Sequence, residues 1–172
     1  MASRNHYVAT GYVYDRNTDR FLLVRQKKSR KWLPPGGHLN EGEEPHQGVQ
    51  RELLEETGVE GRLLDLLETP KVGTEATAQL PTPFCILYEK IPAEIEGEEH
   101  MHIDFVYVLE INLSEPLTLR PEEISFAKWI ASEDIDHVET YENVKQVCRA
   151  ISSISNRDRP PSSHLPCARR PF

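Results

Sequence analysis

Apolar and aromatic segments separated by polar turns divide the chain into a series of predicted strands. Residues 7–14 (YVATGYVY) and 21–25 (FLLVR) are rich in β-branched and aromatic side chains, and the polar turn 15–20 between them predicts a hairpin. Pro and Gly occupy all of 34–37, which predicts an interruption of regular structure. Further strands are predicted at 59–67, 84–90, 101–111 and 126–130.

Two segments follow the helical period instead. Residues 45–57 begin with a proline, which suits a first helical turn, and end before Gly58, which suits a left-handed C-cap. Val49 and Leu53 lie four residues apart on one side and form an apolar stripe. A closing helix over 140–154 places four residues on a shared face, namely Val144, Val147, Cys148 and Ile151. This mixture of strands and helices predicts an α/β fold.

Length and composition indicate one globular domain. The chain has 172 residues, 38% of them hydrophobic, and we predict the domain over residues 1–156. The remaining 157–172 contain four of the thirteen prolines without periodicity and predict a disordered tail. No apolar run approaches the roughly 20 residues that cross a bilayer, and no apolar secretory signal begins the chain. Three scattered cysteines suit a reducing compartment, so a cytoplasmic protein without a membrane partner is expected.

Charge is unevenly distributed along the chain. The formal net charge of −8 argues against a nucleic-acid-binding protein, which usually needs a basic face. Residues 20–31 nevertheless carry six Lys or Arg and no acid, whereas residues 37–60 carry seven Glu and one Arg. Adjacent blocks of opposite sign indicate a functional segment in this part of the chain.

The acidic block contains a cluster of carboxylates on the first predicted helix. Glu52, Glu55 and Glu56 are spaced i, i+3 and i+4, so their side chains point to one side and repel one another. Several hard oxygen ligands on one rigid element suit Mg²⁺ or Mn²⁺. The alternative interpretation of three glutamates alone is a solvated acidic helix face.

The residues around these glutamates form a fixed pattern, G-x5-E-x7-R-E-L-x-E-E-x-G-V, over residues 37–59. This pattern resembles the signature of the MutT-like Nudix hydrolases and matches it at every position. The resemblance implies an α/β/α sandwich with a mixed β-sheet between helices. It also implies metal-dependent hydrolysis of a diphosphate linkage, in a nucleoside diphosphate derivative or a nucleoside triphosphate. The alternative is a non-catalytic member that senses a nucleotide or sugar nucleotide without cutting it.

The resemblance assigns a role to each matched residue. Glu55 and Glu56 would be ligands of Mg²⁺ or Mn²⁺, together with the backbone carbonyl of Gly36. Glu52 would be a further ligand or the base that deprotonates water, and Arg51 would hold a ligand glutamate in position. The residues with structural roles would be Gly37, Glu43 and Gly58. The family often dimerises, so the resemblance also allows a homodimer.

A glutamate further along the chain adds a metal ligand or serves as the base in many family members. The sequence does not select among the candidates, and Glu99 is taken as the working choice with Glu52 and Arg51 as catalytic residues. The full set of candidates is Glu96, Glu98, Glu99, Glu122 and Glu123.

Two further groups are candidates for substrate binding. Arg25, Lys27 and Lys31 lie in the basic segment that leads into the signature, and we expect them to face the polyphosphate, with plain solubility as the alternative. His100, His102 and Asp104 alternate on a predicted strand and therefore share a face. They could form a transition-metal site, a polar wall of the substrate cleft, or an exposed strand face. His102 is taken as a substrate-binding candidate.

Overall fold

The computed structural model describes residues 5–97 and 99–157. In chain order these residues form β1 (Asn5–Asp15), β2 (Arg20–Gln26), β3 (Trp32–Leu33), β4 (Gly36–His38), α1 (Pro45–Thr57), β5 (Gly61–Leu63), β6 (Cys85–Ile91), α2 (Ala93–Glu96), β7 (His100–Ile111), β8 (Ile124–Ala131), a 3₁₀ turn (Ser132–His137) and α3 (Glu142–Arg157).

All the strands belong to one mixed sheet with β1 near its centre. β1 pairs in parallel with β7, in a register that runs from Asn5 opposite Met101 to Val13 opposite Leu109. Its other edge pairs antiparallel with β2 and, nearer the start of β1, with β4. The remaining pairings are antiparallel: β2 with β3 and β8, and β7 with β5 and β6. The mixed sheet expected from the sequence is therefore confirmed.

The two faces of this sheet pack against different helices. Successive residues of a strand point to opposite faces, so Tyr12 and Tyr14 of β1 face α3 and pack in one cluster with Ile151. Val13 faces α1 and packs in a second cluster with Leu53. A helix thus covers each face, which confirms the predicted α/β/α sandwich.

Most predicted bounds agree with the structure, and two predictions were wrong. The first helix has the predicted bounds, with Gly58 in the left-handed region at φ 73°. The strand predicted at 59–67 is limited to Gly61–Leu63, which pair with the end of β7. The interruption predicted at 34–37 is instead partly a strand, since Gly36 and Gly37 pair with β1. Residue 157 ends α3, and the rest of the predicted tail lies outside the described residues.

Asp19, in the turn between β1 and β2, connects several elements through its carboxylate. It accepts hydrogen bonds from the hydroxyls of Tyr14 (2.7 Å), Ser132 (2.6 Å) and Ser152 (3.0 Å), and from the amide of Asn156 (3.3 Å). Burial alone would raise the pKa of Asp19, but the hydrogen bonds outweigh it and lower the pKa below its usual value. Through these hydrogen bonds the carboxylate connects the hairpin to the 3₁₀ turn and to α3.

Replacing Asp19 by Ala is expected to lower the free energy of unfolding by about 2 kcal/mol at pH 7, because several donors lose a charged acceptor. A carboxylate whose pKa is lower in the folded state stabilises the protein above its unfolded pKa, near 4, and loses this effect as pH falls through the folded pKa. Urea unfolding of both proteins at pH 7 and pH 3 should therefore show a smaller difference at pH 3. Asp134→Ala, at an exposed position, is the control, and an equal difference at both pH values would contradict the assigned role.

Candidate active site

The first helix begins and ends with local signals that fix its position. Glu44 and Gln47 form a reciprocal capping box at its start, and the N–H of Gly58 donates to the carbonyl of Leu54 at its end. Gly48 is needed inside the helix because a Cβ there would lie 2.3 Å from Leu39. The loop before the helix therefore packs directly on the helix backbone.

Arg51 ties this loop and β4 to the carboxylates of the helix. Its Nε and Nη2 donate to both carboxylate oxygens of Glu43, at 2.7 and 2.9 Å. Its Nη1 donates to Glu52 at 2.7 Å and lies 3.6 Å from a carboxylate oxygen of Glu55, while Nη2 also donates to the carbonyl of His38 at 3.0 Å. The hydrogen bonds from Arg51 lower the pKa of Glu43 and hold it as an anion. Arg51 thus connects Glu43 in the loop, the carbonyl of His38 in β4 and Glu52 on the helix, while the roles that the resemblance implies for Arg51 and Glu43 stay predictions.

Glu52 and Glu56 lie beside β4, where the absence of a side chain on Gly37 leaves room for the carboxylate of Glu52. A Cβ on Gly37 would lie 2.6 Å from the Glu52 carboxylate, so no larger residue fits there without displacing it. Glu56 is 2% exposed, and the N–H of Gly36 donates to its carboxylate. Burial and the neighbouring charge of Glu52 raise the pKa of Glu56 to about 8. Burial also raises the pKa of Glu52.

A second segment brings further charges to the same place. Glu123, immediately before β8, interacts electrostatically with Glu52 and Glu56 and raises the pKa of both. Arg120 lies 3.2 Å from Glu55 and 3.4 Å from Glu123, and its backbone N–H donates to the carbonyl of Glu56. No signal in the sequence indicated that Arg120 and Glu123 interact with the glutamates of the first helix. These interactions depend on the path of the chain after β7.

The other downstream glutamates that the sequence offered as candidates show no hydrogen bond or ion pair with the first helix among the described residues. Glu99 forms an ion pair with Lys90 at 2.8 Å, and both side chains are mostly exposed. Glu122 is exposed beside Glu123. Glu98 and the side chain of Glu96 lie outside the described residues. Glu123 is therefore the candidate acid for which the structure shows an interaction with the signature glutamates.

The predicted substrate-binding residues occupy three different environments. Lys27 lies beside the turn that carries Glu123: its ammonium donates to the carbonyl of Pro121, and its backbone N–H donates to the backbone carbonyl of Glu123 at 2.8 Å. Arg25 lies 5.9 Å from the centre of the Trp32 ring and pairs with Glu139, and Lys31 lies over the ring of Tyr141. Of these three basic residues, Lys27 has the contacts that place it next to the acidic cluster.

The strand with His100, His102 and Asp104 does not present an exposed polar face. These side chains are only 5%, 8% and 4% exposed. The β1–β7 register places His102 opposite His6, on the same face as the residues that pack against α3. They therefore lie on the opposite face of the sheet from α1 and its glutamates. On the α1 face of the same strand, Tyr107 is buried, while Ile103 and Phe105 are half-buried.

The glutamate cluster has the properties of a site for a hard divalent cation. It brings together oxygen donors from Glu52, Glu55, Glu56 and Glu123, and Oε2 of Glu56 is buried without a hydrogen-bond partner among the described residues. Burial and the negative charge of Glu52 raise the pKa of Glu56, so its anion would be stabilised by added positive charge. A cation among these oxygens would supply that charge, so the residues fit such an ion.

The sequence model of the NUDIX domain family matches residues 4–148, and the chain belongs to this family. An 8-oxo-dGTP diphosphatase from Proteus vulgaris is 35% identical over 72 residues, which cover 40% of this chain and 64% of that protein. Nudix hydrolase 2 from Arabidopsis thaliana is 24% identical over 165 residues, which cover 91% of this chain and 51% of that protein. The match thus spans between half and two-thirds of the length of these relatives.

Solved structures share the fold along most of the chain. A Nudix-family hydrolase from Clostridium perfringens superposes with a TM-score of 0.68 and 21% identity, covering 90% of this chain and 98% of that one. An Ap4A hydrolase from C. elegans superposes with a TM-score of 0.63 and 19% identity, covering 88% and 98%. At these identities the likeness shows the Nudix fold. Among the residues that the structure describes, no helix has the length and apolar character needed to cross a bilayer.

Proposed function

We propose that this chain hydrolyses a diphosphate linkage in a nucleoside triphosphate or a nucleoside diphosphate derivative, with Mg²⁺ or Mn²⁺ as cofactor. The observation that carries the proposal is the convergence of Glu52 and Glu56 beside the glycines of β4, with Arg51 holding Glu52. Oε2 of the buried Glu56 has no hydrogen-bond partner among the described residues, and a cation bound beside it would offset the cost of burying this carboxylate. The relatives named as a diphosphatase and an Ap4A hydrolase support the same class of substrate.

The metal ligands would be Glu52, Glu55, Glu56 and the carbonyl of Gly36, as the family resemblance implies. When bound, the metal would neutralise the diphosphate, polarise the phosphorus centre and acidify a water molecule. Arg51 donates to the carboxylate of Glu52 and lies 3.6 Å from that of Glu55, and the packing of Glu52 against Gly37 restricts its carboxylate. The protein thus holds preorganised carboxylates as ligands for the metal that would face the phosphate group.

We further propose Glu123, in place of Glu99, as the acid that completes the site. Glu123 interacts electrostatically with Glu52 and Glu56, and its side chain is 52% exposed at the edge of the cluster. An exposed carboxylate in this position can accept a proton from an attacking water and release it to solvent. Lys27, on the adjoining turn, supplies a cation near the place where a polyphosphate would bind.

Hydrolysis is tested by incubating the protein with Mg²⁺ and a panel of nucleoside triphosphates, ADP-ribose, sugar nucleotides and dinucleoside polyphosphates. We expect turnover of at least one substrate, measured as nucleotide product by chromatography, and loss of turnover when the metal is chelated. Saturable binding of a nucleotide without any turnover would instead identify a sensing module. The homodimer and the cytoplasmic location expected from the sequence stay predictions.

A further inference from the structure

Four histidines from three strands converge at one end of the sheet, away from the glutamate cluster. The sequence pattern gave only two of them, His100 and His102 on β7. The structure adds His6 from β1 and His38 from β4. We call these four residues the histidine cluster.

Strand register explains why the four side chains meet. β1 and β7 run parallel with His6 directly opposite His102, and His100 is two residues earlier on the same face. β4 pairs antiparallel with the other edge of β1, with His38 opposite Val8. Because His6 and Val8 also share a face, all four rings project from the same side of three adjacent strands.

The distances within the histidine cluster suit one metal ion. One ring nitrogen from each residue can be chosen so that all four lie within 4.8 Å of one another. Nδ1 of His6 lies 3.3 Å from Nε2 of His38, and the Nε2 atoms of His100 and His102 are 2.9 Å apart. Four nitrogens bound tetrahedrally to Zn²⁺ would be separated by about 3.4 Å. The rings therefore need only small adjustments to bind a common ion.

We propose that His6, His38, His100 and His102 bind a transition-metal ion of the Zn²⁺ class. Neutral imidazole nitrogens favour Zn²⁺, Co²⁺ and related ions, whereas Mg²⁺ prefers oxygen ligands such as those of the glutamate cluster. His100 and His102 are buried while His38 is exposed, so the ion would bind at the surface on a rigid base. Four protein ligands leave no open position at a tetrahedral ion, which is typical of a structural site.

Such an ion would stabilise the strand that borders the glutamate cluster. The ring of His38 lies in the histidine cluster, while the next residue back, Gly37, faces the carboxylate of Glu52. The carbonyl of His38 accepts the hydrogen bond from Arg51. By joining β4 to β1 and β7, the ion would hold this backbone in place from the opposite face of the sheet. Metal binding by the four rings does not depend on hydrolysis at the glutamate cluster.

The test is Co²⁺ binding to the full chain in excess Mg²⁺, which occupies oxygen sites and is spectroscopically silent. We expect about one equivalent of Co²⁺ with the intense visible absorption of a tetrahedral site, displaced by Zn²⁺. His102→Gln and His38→Gln should each abolish this absorption and weaken Zn²⁺ binding by at least about 100-fold. His38 is exposed, so its replacement leaves the core intact.

Two control variants separate this site from other sources of metal binding. His137→Gln changes an exposed histidine of the 3₁₀ turn, and Glu56→Gln changes the glutamate cluster; both should keep the Co²⁺ absorption. Circular dichroism of the metal-free variants checks that each one folds. An absent tetrahedral signal in the wild-type protein, or a signal that survives both histidine variants, overturns the proposal. In those cases the rings form a metal-free, hydrogen-bonded cluster, and the hydrolase assignment is unaffected.

Discussion

Replacing Glu56 by Gln is expected to lower kcat at least about 100-fold, with a smaller change in KM, because the variant keeps the shape of the site but removes a buried anionic oxygen. The same change should not destabilise the metal-free protein. Burial raises the pKa of Glu56 from 4.5 to about 8, so the folded state holds a proton that the unfolded state releases above about pH 4.5. The free energy of unfolding of the wild type therefore decreases as pH rises from about 4.5 to about 8. The Gln variant lacks this titration.

The measurements are steady-state kinetics with Mg²⁺ and thermal unfolding in EDTA at pH 5 and pH 8. Glu60→Gln, an exposed position just beyond the same helix, is the matched control and should retain activity. At pH 8 the Glu56→Gln protein should unfold at a temperature equal to or above that of the wild type. Undiminished turnover in this variant would refute the role assigned to Glu56, and lost turnover in an unfolded variant would leave that role without support.

Glu123→Gln is expected to lower kcat by about 100-fold, because it removes the carboxylate that the structure brings to the edge of the cluster. Glu99→Gln should have a much smaller effect, since an exposed ion pair with Lys90 contributes little. Both variants are assayed with the substrate that the panel identifies, over a range of pH.

The opposite ranking of the two variants would restore Glu99 as the completing acid. A charge-matched control is available at the neighbouring position, because Glu122 is exposed and adjacent to Glu123. If Glu122→Gln lowered kcat as strongly as Glu123→Gln, the effect would come from the general charge of the turn. The assignment of Glu123 requires that the loss be specific to its own side chain.

The parts of the fold that depend on local signals could be predicted from the sequence. The first helix has the predicted bounds because a proline starts it and Gly58 ends it, and neither signal needs a distant partner. The signature glutamates lie within that one helix, so their spacing alone places them on one side. β4 could not be predicted in this way, because its two glycines form a strand only through pairing with β1.

The remaining functional groups depend on contacts between distant parts of the chain. The proposal of Glu123 in place of Glu99 rests on how the segment after β7 returns to the helix, which no local pattern reports. The histidine cluster likewise needs the register of β1 with both β4 and β7, so only its two residues on β7 were visible as a motif. Sequence spacing identifies such sites only when their residues share one element.

The parallel pairing of β1 with β7 has a consequence for folding on the ribosome. β1 leaves the ribosome first, yet its longest partner begins at His100 and ends at Ile111. Until that segment has been synthesised, β1 and β2 can form their hairpin, but one edge of β1 remains unpaired. Because a long loop must close before this contact forms, we expect folding of the domain to be slow compared with helical proteins of similar size. The unpaired edge of β1 is prone to aggregation during this interval.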